Sequence, residues 1–260
     1  MPSVPGPVVV PLRSVEQLTE LYQDVLRPSF PPAELVSLPS FLEDHAAGRL
    51  ESLGVVEVPD GAAPVSGPGA VGPGRVVAGV VGSWSAGARV LLVQYLAIAP
   101  GRRGGGIGAA LLGAAVSAWQ EELRPAMVLG EVEHPRFHAA SEAHGDPEAR
   151  LRFYARHGGR VLAVPYFQPG TSPGADRVPA LLLMTLATED PDATSVPAAP
   201  LRTFLREYLA DSEGSVADDA PTRALLDSVA GERVALLGTD ELDRVPVGLL
   251  DASSLRAPGR

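Results

Sequence analysis

A glycine-rich loop is the segment whose residue types point most directly to a ligand. The stretch AIAPGRRGGGIGAALLGAA, Ala97 to Ala115, places a glycine cluster and two arginines before a small, apolar helical run. Amides in the first turn of a helix have no partner within the helix and carry positive partial charge. Glycine lets the backbone approach a bound group closely, and Arg102 and Arg103 add charges that pair with phosphate. The loop therefore predicts a phosphate-binding site.

Two carboxylates form a second candidate group. Glu131 and Glu133 alternate with Val132 in the segment AMVLGEVE, so both side chains lie on one face of a predicted strand. Carboxylates on a central strand are costly unless they are solvated or used. We expect them to accept a proton through a water, or to bind a positive charge, or simply to face an open cleft. His134 is an alternative base because the ordinary pKa of imidazole suits proton transfer.

A metal site is the other interpretation of this region, because His134, His138 and His144 follow the glutamates. Their spacing fits no standard zinc pattern. The sequence contains no cysteine, which excludes disulfides, thiolate catalysis and cysteine-ligated metal. We therefore expect no metal.

The elements that hold these residues follow from hydrophobic periods and turn signals. Ser14 with Gln17 predicts a helix start by a capping box, Ser40 predicts a second start, and Asp146 with Pro147 predicts a third. Strands are predicted over residues 7–12, 51–58, 75–84, 88–98, 126–133, 160–167 and 180–187, and a helix follows the loop over 106–123. Because several neighbouring strands have no helix between them, they need antiparallel pairs. The predicted fold class is α/β (α+β), with a mixed, mostly antiparallel central sheet flanked by helices.

The order of these elements also predicts a domain organisation. We expect one domain over residues 1–188, with a flexible Pro/Gly-rich loop at 59–74, and a linker over 189–200. A helical C-terminal extension follows at 201–238, and 239–260 is expected to be a disordered tail. PYFQPG, Pro165–Gly170, suits either a substrate wall or a proline-shaped turn.

Two motifs resemble the GNAT acyltransferase superfamily. Arg103 to Gly108 has the form [Q/R]-x-x-G-x-[G/A], which is similar to that family's acyl-CoA pyrophosphate loop. LRFYARHGGRVL resembles its later helix, in which a tyrosine precedes a helix-ending glycine and a strand. The predicted element order from Pro7 to Ala187 also matches.

The resemblance implies roles for particular residues. Backbone amides would hold the pyrophosphate, from Arg103, Gly104, Gly105, Gly106, Ile107, Gly108 and Ala109. Backbone groups of Leu96, Ala97 and Ile98 would pair with the pantetheine arm. Tyr154 would donate to the departing thiolate, or it is simply a core tyrosine, and Glu131 and Glu133 would serve the amine.

The implied activity is direct transfer of an acetyl group from acetyl-CoA, as cosubstrate, to a primary amine of a small molecule or amino-acid-like acceptor. One alternative is a non-catalytic acyl-CoA-binding regulatory module, whose C-terminal helix could serve a partner or a homodimer. The other is a nicotinamide-dependent oxidoreductase, because Gly104, Gly106 and Ala109 also fit a GxGxxG/A fingerprint.

Composition narrows the remaining classes. The formal net charge is −10 and all 21 basic residues are arginine, which disfavours a general nucleic-acid or membrane-surface binder and, without lysine, excludes a Walker loop. The sequence shows neither a run of eighteen uncharged apolar residues nor a basic leader, so we expect a cytoplasmic protein.

Overall fold

The computed structural model describes residues 8–32, 34–57, 74–102, 104–141, 145–251 and 253–255. The chain divides into two compact units. The first unit is Met1–Ser83 with Val93–Glu121, and the second is Trp84–Leu92 with Glu122–Arg260. The predicted loop at 59–74 lies, apart from Gly74, outside the described residues.

The first unit contains a sheet with helices on it. Its elements are β1 (Val9–Pro11), α1 (Val15–Glu20), a π-helical turn (Leu21–Leu26), α2 (Leu38–Ala46), β2 (Leu50–Glu57), β3 (Arg75–Ser85), β4 (Val90–Ile98) and α3 (Ile107–Glu122), with the ends of β3, β4 and α3 counted in the second unit. The strands follow the order β1-β2-β3-β4. β2 is antiparallel to β1 and β3, with Gly54 opposite Val10 and Leu53 opposite Val80. A Cβ on Gly79 would come within 2.2 Å of the Leu21 side chain, so glycine there lets the helical segment pack on the sheet.

Helix starts in this unit show which local signals were sufficient. Ser14 accepts from the Gln17 amide and the Gln17 side chain returns the bond, so the predicted capping box is confirmed. The predicted start at Ser40 is wrong, because Ser37 caps α2 and accepts from the Ser40 amide. Pro39 then lies in the first turn, where its missing N–H costs no helical hydrogen bond.

The second unit contains the other strands and helices. They are β5 (Met127–Glu133), α4 (Pro147–Arg156), β6 (Arg160–Leu162), β7 (Leu181–Thr188), β8 (Ser195–Pro197), α5 (Ala198–Glu213), α6 (Ala220–Ser228), β9 (Arg233–Leu237) and a 3-10 turn (Leu242–Arg244). The strand order is β5-β7-β6-β9-β8. β5 is antiparallel to β7, with Glu131 opposite Leu183, and β6 is antiparallel to β9, with Val161 opposite Leu237. α4 packs on β5, and α5 packs on α6 and β9.

Two stretches differ from the predicted domain organisation. Within the predicted linker, Ser195–Pro197 pairs with β9 and α5 already begins at Ala198. Within the predicted tail, Ser254 is buried and the Leu255 carbonyl accepts from the Arg177 amide at 2.7 Å. Both segments are held by pairing with residues far along the chain, and the second compact unit includes the extension together with the end of the predicted main domain.

Asp146 caps α4 as predicted, accepting from the amides of Glu148 and Ala149 at 2.9 and 3.2 Å. The antiparallel pairs and the helices packed on them confirm the predicted fold class. Among the described residues, no helix combines the length and the apolar character that crossing a membrane requires.

Candidate functional site

The glycine loop lies between β4 and α3 in the first unit. Its glycines adopt left-handed backbone angles, with φ of 111° at Gly104, 62° at Gly105 and 75° at Gly106. A Cβ on any of the three would meet nothing within 4 Å. Each glycine is therefore required by backbone conformation rather than by packing, because L-residues with side chains are strained at such angles. The three residues are solvent-exposed, so their backbone is open to a ligand.

The start of α3 gives this loop its electrostatic character. The Ile107 amide donates to the Gly104 carbonyl at 3.4 Å and the Ala110 amide to the Gly106 carbonyl at 3.0 Å. First-turn amides point out of the end of a helix and favour anions. Arg103 lies outside the described residues. Arg102 forms an ion pair with Glu57 at 2.8 Å, so its charge is already shared.

The segment predicted to pair with the pantetheine arm is the last part of β4. Ala97 is buried in the core of the first unit, whereas Leu96 and Ile98 are half-buried. Just beyond, the Ala99 amide donates to the Val77 carbonyl at 2.8 Å. The predicted roles of Leu96, Ala97 and Ile98, like those of Ile107, Gly108 and Ala109, stay predictions.

Glu131 lies in a cluster of hydroxyl and amide groups in the second unit. The Tyr166 hydroxyl donates to Oε1 of Glu131, and Nε2 of Gln168 donates to Oε2 at 3.4 Å. The Tyr208 side chain, from α5, also hydrogen-bonds the carboxylate. Three donors from two distant segments thus converge on one carboxylate.

The protonation of Glu131 is set by two opposing effects. Burial raises the pKa of Glu131 to about 7, against the hydrogen bonds of Tyr166, Gln168 and Tyr208, which lower it. A carboxylate with a pKa near neutral pH exchanges its proton in the range where a general base works best. The pKa of Tyr166 is raised well above its ordinary value, by burial and by the nearby Glu131 charge, so this tyrosine remains a donor.

Tyr154 lies on the buried face of α4 with Leu151. Burial raises the pKa of Tyr154 to about 12, with Arg150 lowering it and Glu131 raising it. The phenol is therefore protonated near neutral pH and lies close enough to Glu131 to respond to its charge. Just beyond the end of α4, Gly158 has a φ of +83°, and a Cβ on Gly159 would come within 2.8 Å of the Tyr154 carbonyl oxygen.

Glu133 has a different environment from Glu131. Its carboxylate forms an ion pair with the Arg150 guanidinium of α4. The Glu133 carboxylate is therefore paired with a cation, whereas Glu131 is bound by neutral donors. The two glutamates that the sequence places on one face are thus chemically distinct.

The two described histidines of this region have separate hydrogen-bond partners. Nδ1 of His134 accepts from the Arg136 amide at 3.1 Å, and burial followed by the Arg136 charge lowers the pKa of His134. His138 donates from Nε2 to the Pro179 carbonyl at 2.9 Å, and His144 lies outside the described residues. Within the described ranges, no three His, Asp or Glu side chains are grouped to hold a metal ion.

Sequence reasoning missed the contacts that bring the donors to Glu131. The sequence predicts Tyr166 in a substrate wall or turn, and Tyr208 only within the helical C-terminal extension. The local pattern offers no signal for either contact, because the partners are 35 and 77 positions from Glu131. A buried carboxylate requires donors, and that requirement was the only available clue.

No family model matches this chain, and no curated protein matches it. Among solved structures, it is similar to a Bacteroides thetaiotaomicron protein assigned to the GNAT family of acetyltransferases, at 22% identity over 70% of this chain and 88% of that chain, with a TM-score of 0.49. It is also similar to the ribosomal-protein-S18-alanine N-acetyltransferase from Escherichia coli, at 16% identity over 72% and 97% of the two chains, with a TM-score of 0.44. A third is Arabidopsis thaliana NAA60 in complex with acetyl-CoA, at 16% identity over 68% and 96%, with a TM-score of 0.45. Of these three, the first carries the GNAT family in its name, the second is an N-acetyltransferase and the third is bound to acetyl-CoA.

Proposed function

We propose that this protein is an acetyl-CoA-dependent N-acetyltransferase whose acceptor is a primary amine of a small molecule or amino-acid-like compound. The observation that carries the proposal is the exposed run of left-handed glycines, Gly104 to Gly106, at the start of a 16-residue helix. This arrangement presents backbone amides to an anion without side chains in the way. The pyrophosphate of acetyl-CoA is an anion of that kind.

The same loop in a dinucleotide-binding protein lies in an open, mostly parallel sheet. Here β4 follows β3 directly across the turn Ala86–Arg89, and the two strands are neighbours. A turn this short joins antiparallel strands. The local topology therefore favours the acyl-CoA ligand over a nicotinamide dinucleotide.

Glu131 and Tyr154 supply groups for the transfer step. The amine nitrogen attacks the thioester carbonyl carbon, a C–N bond forms, and the C–S bond breaks to release CoA thiolate. Glu131, whose pKa is about 7, accepts the proton that the amine must lose, through a water. Tyr154 donates a hydrogen bond or a proton to the departing sulfur, as its raised pKa allows.

The acceptor is proposed to be cationic in its resting form. The chain has a formal net charge of −10, which attracts cations over a range set by ionic strength. Glu133 adds a local carboxylate on the same strand as Glu131. Its pairing with Arg150 leaves Glu131 as the better proton acceptor.

The experiment is an acceptor screen with the full chain, acetyl-CoA and a panel of primary amines. Released CoA is detected with a thiol reagent, which has no protein background because the chain contains no cysteine. We expect amine-dependent thiol release that Glu131→Gln reduces at least about 100-fold, as loss of a general base does. Acetyl-CoA binding without thiol release on any amine would contradict the enzyme proposal and favour the regulatory module. Thiol release without an acceptor, measured in parallel, corrects for hydrolysis.

A further inference from the structure

The C-terminal helix α5 contributes to the environment of Glu131. Tyr208 hydrogen-bonds the Glu131 carboxylate, and its ring stacks on Phe204 with centroids 5.5 Å apart and planes at 18°. Phe204 belongs to the core of the second unit, which also contains residues of β5, β7 and β9. The helix is therefore packed into this core, and its tyrosine has a fixed position.

The segment between β6 and β7, residues 163–180, supplies the other two donors. We call this segment the strap. Gln168 and Val178 exchange backbone hydrogen bonds at 2.9 and 3.0 Å, which draw the two sides of the strap together. Tyr166 and Gln168 both lie on the first side, and both donate to Glu131.

A buried ionic cluster fastens the second side of the strap to the C-terminal region. Arg177 donates to both oxygens of Glu213, the last residue of α5, at 2.7 and 2.5 Å. It also donates to Asp219, the N-cap of α6, at 2.6 Å. The Gly170 amide donates to Oε1 of Glu213 at 3.2 Å. The helix that carries Tyr208 therefore also anchors the strap that carries Tyr166 and Gln168.

We propose that α5 is part of the catalytic centre, with Tyr208 as a positioning residue that holds the Glu131 carboxylate for proton transfer. Glu213 acts on the carboxylate indirectly, because it binds Arg177 and Arg177 holds the strap. The catalytic role of Tyr208 and α5 rests on the proposed function. In this proposal α5 is a segment that the reaction requires, and not a separate extension that binds a partner.

The groups around Glu131 come from each element packed there. Tyr208 belongs to α5, Tyr166 to the strap and Tyr154 to α4. Two residues further along the same strand, Glu133 pairs with Arg150 of α4. Removing the Tyr208 hydroxyl takes away one donor to the charged carboxylate, so Glu131 holds its proton more tightly.

The test is a carboxyl titration of the full chain with ¹³C-labelled glutamate, in which Glu131→Gln identifies the Glu131 resonance. In Tyr208→Phe we expect the Glu131 midpoint to move up by about one pH unit, the size of one hydrogen bond to a charged group. Tyr22→Phe is the matched control, because its hydroxyl donates to the Val36 carbonyl at 2.8 Å in the first unit. An unmoved midpoint in Tyr208→Phe, with the fold intact by circular dichroism, would overturn the proposal.

A kinetic measurement links the titration to turnover. In Tyr208→Phe the acidic limb of kcat against pH should move up by the same amount, with KM for acetyl-CoA unchanged. A limb that stays in place while the Glu131 midpoint moves would overturn the positioning role. If the wild-type chain transfers no acetyl group although the midpoint moves as expected, the proposed function fails while the Tyr208–Glu131 contact stands.

Discussion

Arg177 and Glu213 form a two-pronged ion pair in which both side chains are wholly buried. Two parallel hydrogen bonds join the guanidinium to the carboxylate, and the Phe167 ring lies 4.9 Å from the guanidinium carbon. Charges removed from water are tolerated only with close partners. The pair therefore fixes the strap to the end of α5 and cannot be loosened without leaving a charge unpaired.

Glu213→Gln should lower the free energy of unfolding by about 3 kcal/mol, because it leaves the buried Arg177 with only Asp219 as its ionic partner. Urea denaturation monitored by circular dichroism measures the change. Glu189→Gln is the matched control, since Glu189 pairs with Arg89 at 3.2 Å with both side chains largely exposed. The control should change stability by less than about 1 kcal/mol. Equal losses in the two variants would show that burial gives the Arg177 pair no special weight.

Glu131→Gln should reduce kcat for acetyl transfer at least about 100-fold and remove a pH limb. A base must be deprotonated to act, so with a pKa of about 7 for Glu131 the wild-type rate rises with pH through 7 and then levels. Steady-state kinetics measure both effects. They are recorded from roughly pH 5.5 to pH 9, which spans the pKa of Glu131. Glu133→Gln should keep the limb, because Glu133 is paired with Arg150. A limb that survives in Glu131→Gln and disappears in Glu133→Gln would assign the base to Glu133.

Glu131→Gln should also stabilise the fold above neutral pH. Burial raises the pKa of Glu131 from 4.5 to about 7, so the folded state binds this proton more tightly than the unfolded state. Its contribution is full below pH 4.5 and is lost as the pH rises towards 7. At pH 8 an uncharged glutamine avoids this loss, which is at most about 3.5 kcal/mol at 1.4 kcal/mol per pKa unit.

Melting temperatures of wild type and Glu131→Gln measure this difference. They are compared at roughly pH 5 and pH 8, which lie below and above the pKa of Glu131. The variant should gain more at the higher pH. A gain that is equal at both values, or a loss confined to pH 8, would contradict the raised pKa of Glu131.

Tyr154→Phe should lower kcat while leaving the affinity for acetyl-CoA unchanged. The Tyr154 pKa of about 12 keeps the phenol protonated, so its role is donation, and phenylalanine keeps the buried ring. A loss of about 10- to 100-fold is expected for one donor to a developing charge. Turnover equal to wild type would leave Tyr154 as a core residue of α4.

Elements with strong local signals could be predicted, whereas elements held by distant partners could not. Asp146 followed by Pro147 encodes the start of α4 within four residues, and Ser14 with Gln17 encodes the start of α1. The missed start at Ser37 had a local signal too, because Pro39 fits only the first turn of a helix. β8 had none, since Ser195–Pro197 is a strand only because β9 pairs with it.

The candidate site divides in the same way. The glycine loop could be predicted because left-handed backbone angles favour glycine, and glycine is visible in the sequence. The alternation of Glu131 and Glu133 could be predicted from the sequence. The different surroundings of the two carboxylates could not, because they depend on Tyr208 and Arg150. The Arg177–Glu213 pair spans 36 positions, and no period or motif connects them.

The most direct measurement is calorimetric titration of acetyl-CoA into the full chain, with NADH as the comparator ligand. Gly106→Glu should weaken acetyl-CoA binding at least about tenfold, because it strains a left-handed position and adds a negative charge where a phosphate would bind. Gly113→Glu is the control, as it adds the same charge to an exposed, open position later in α3. We predict acetyl-CoA binding to wild type and to Gly113→Glu, and none with NADH. Absence of acetyl-CoA binding, or binding that Gly106→Glu leaves undiminished, would contradict the assignment of this loop to acetyl-CoA.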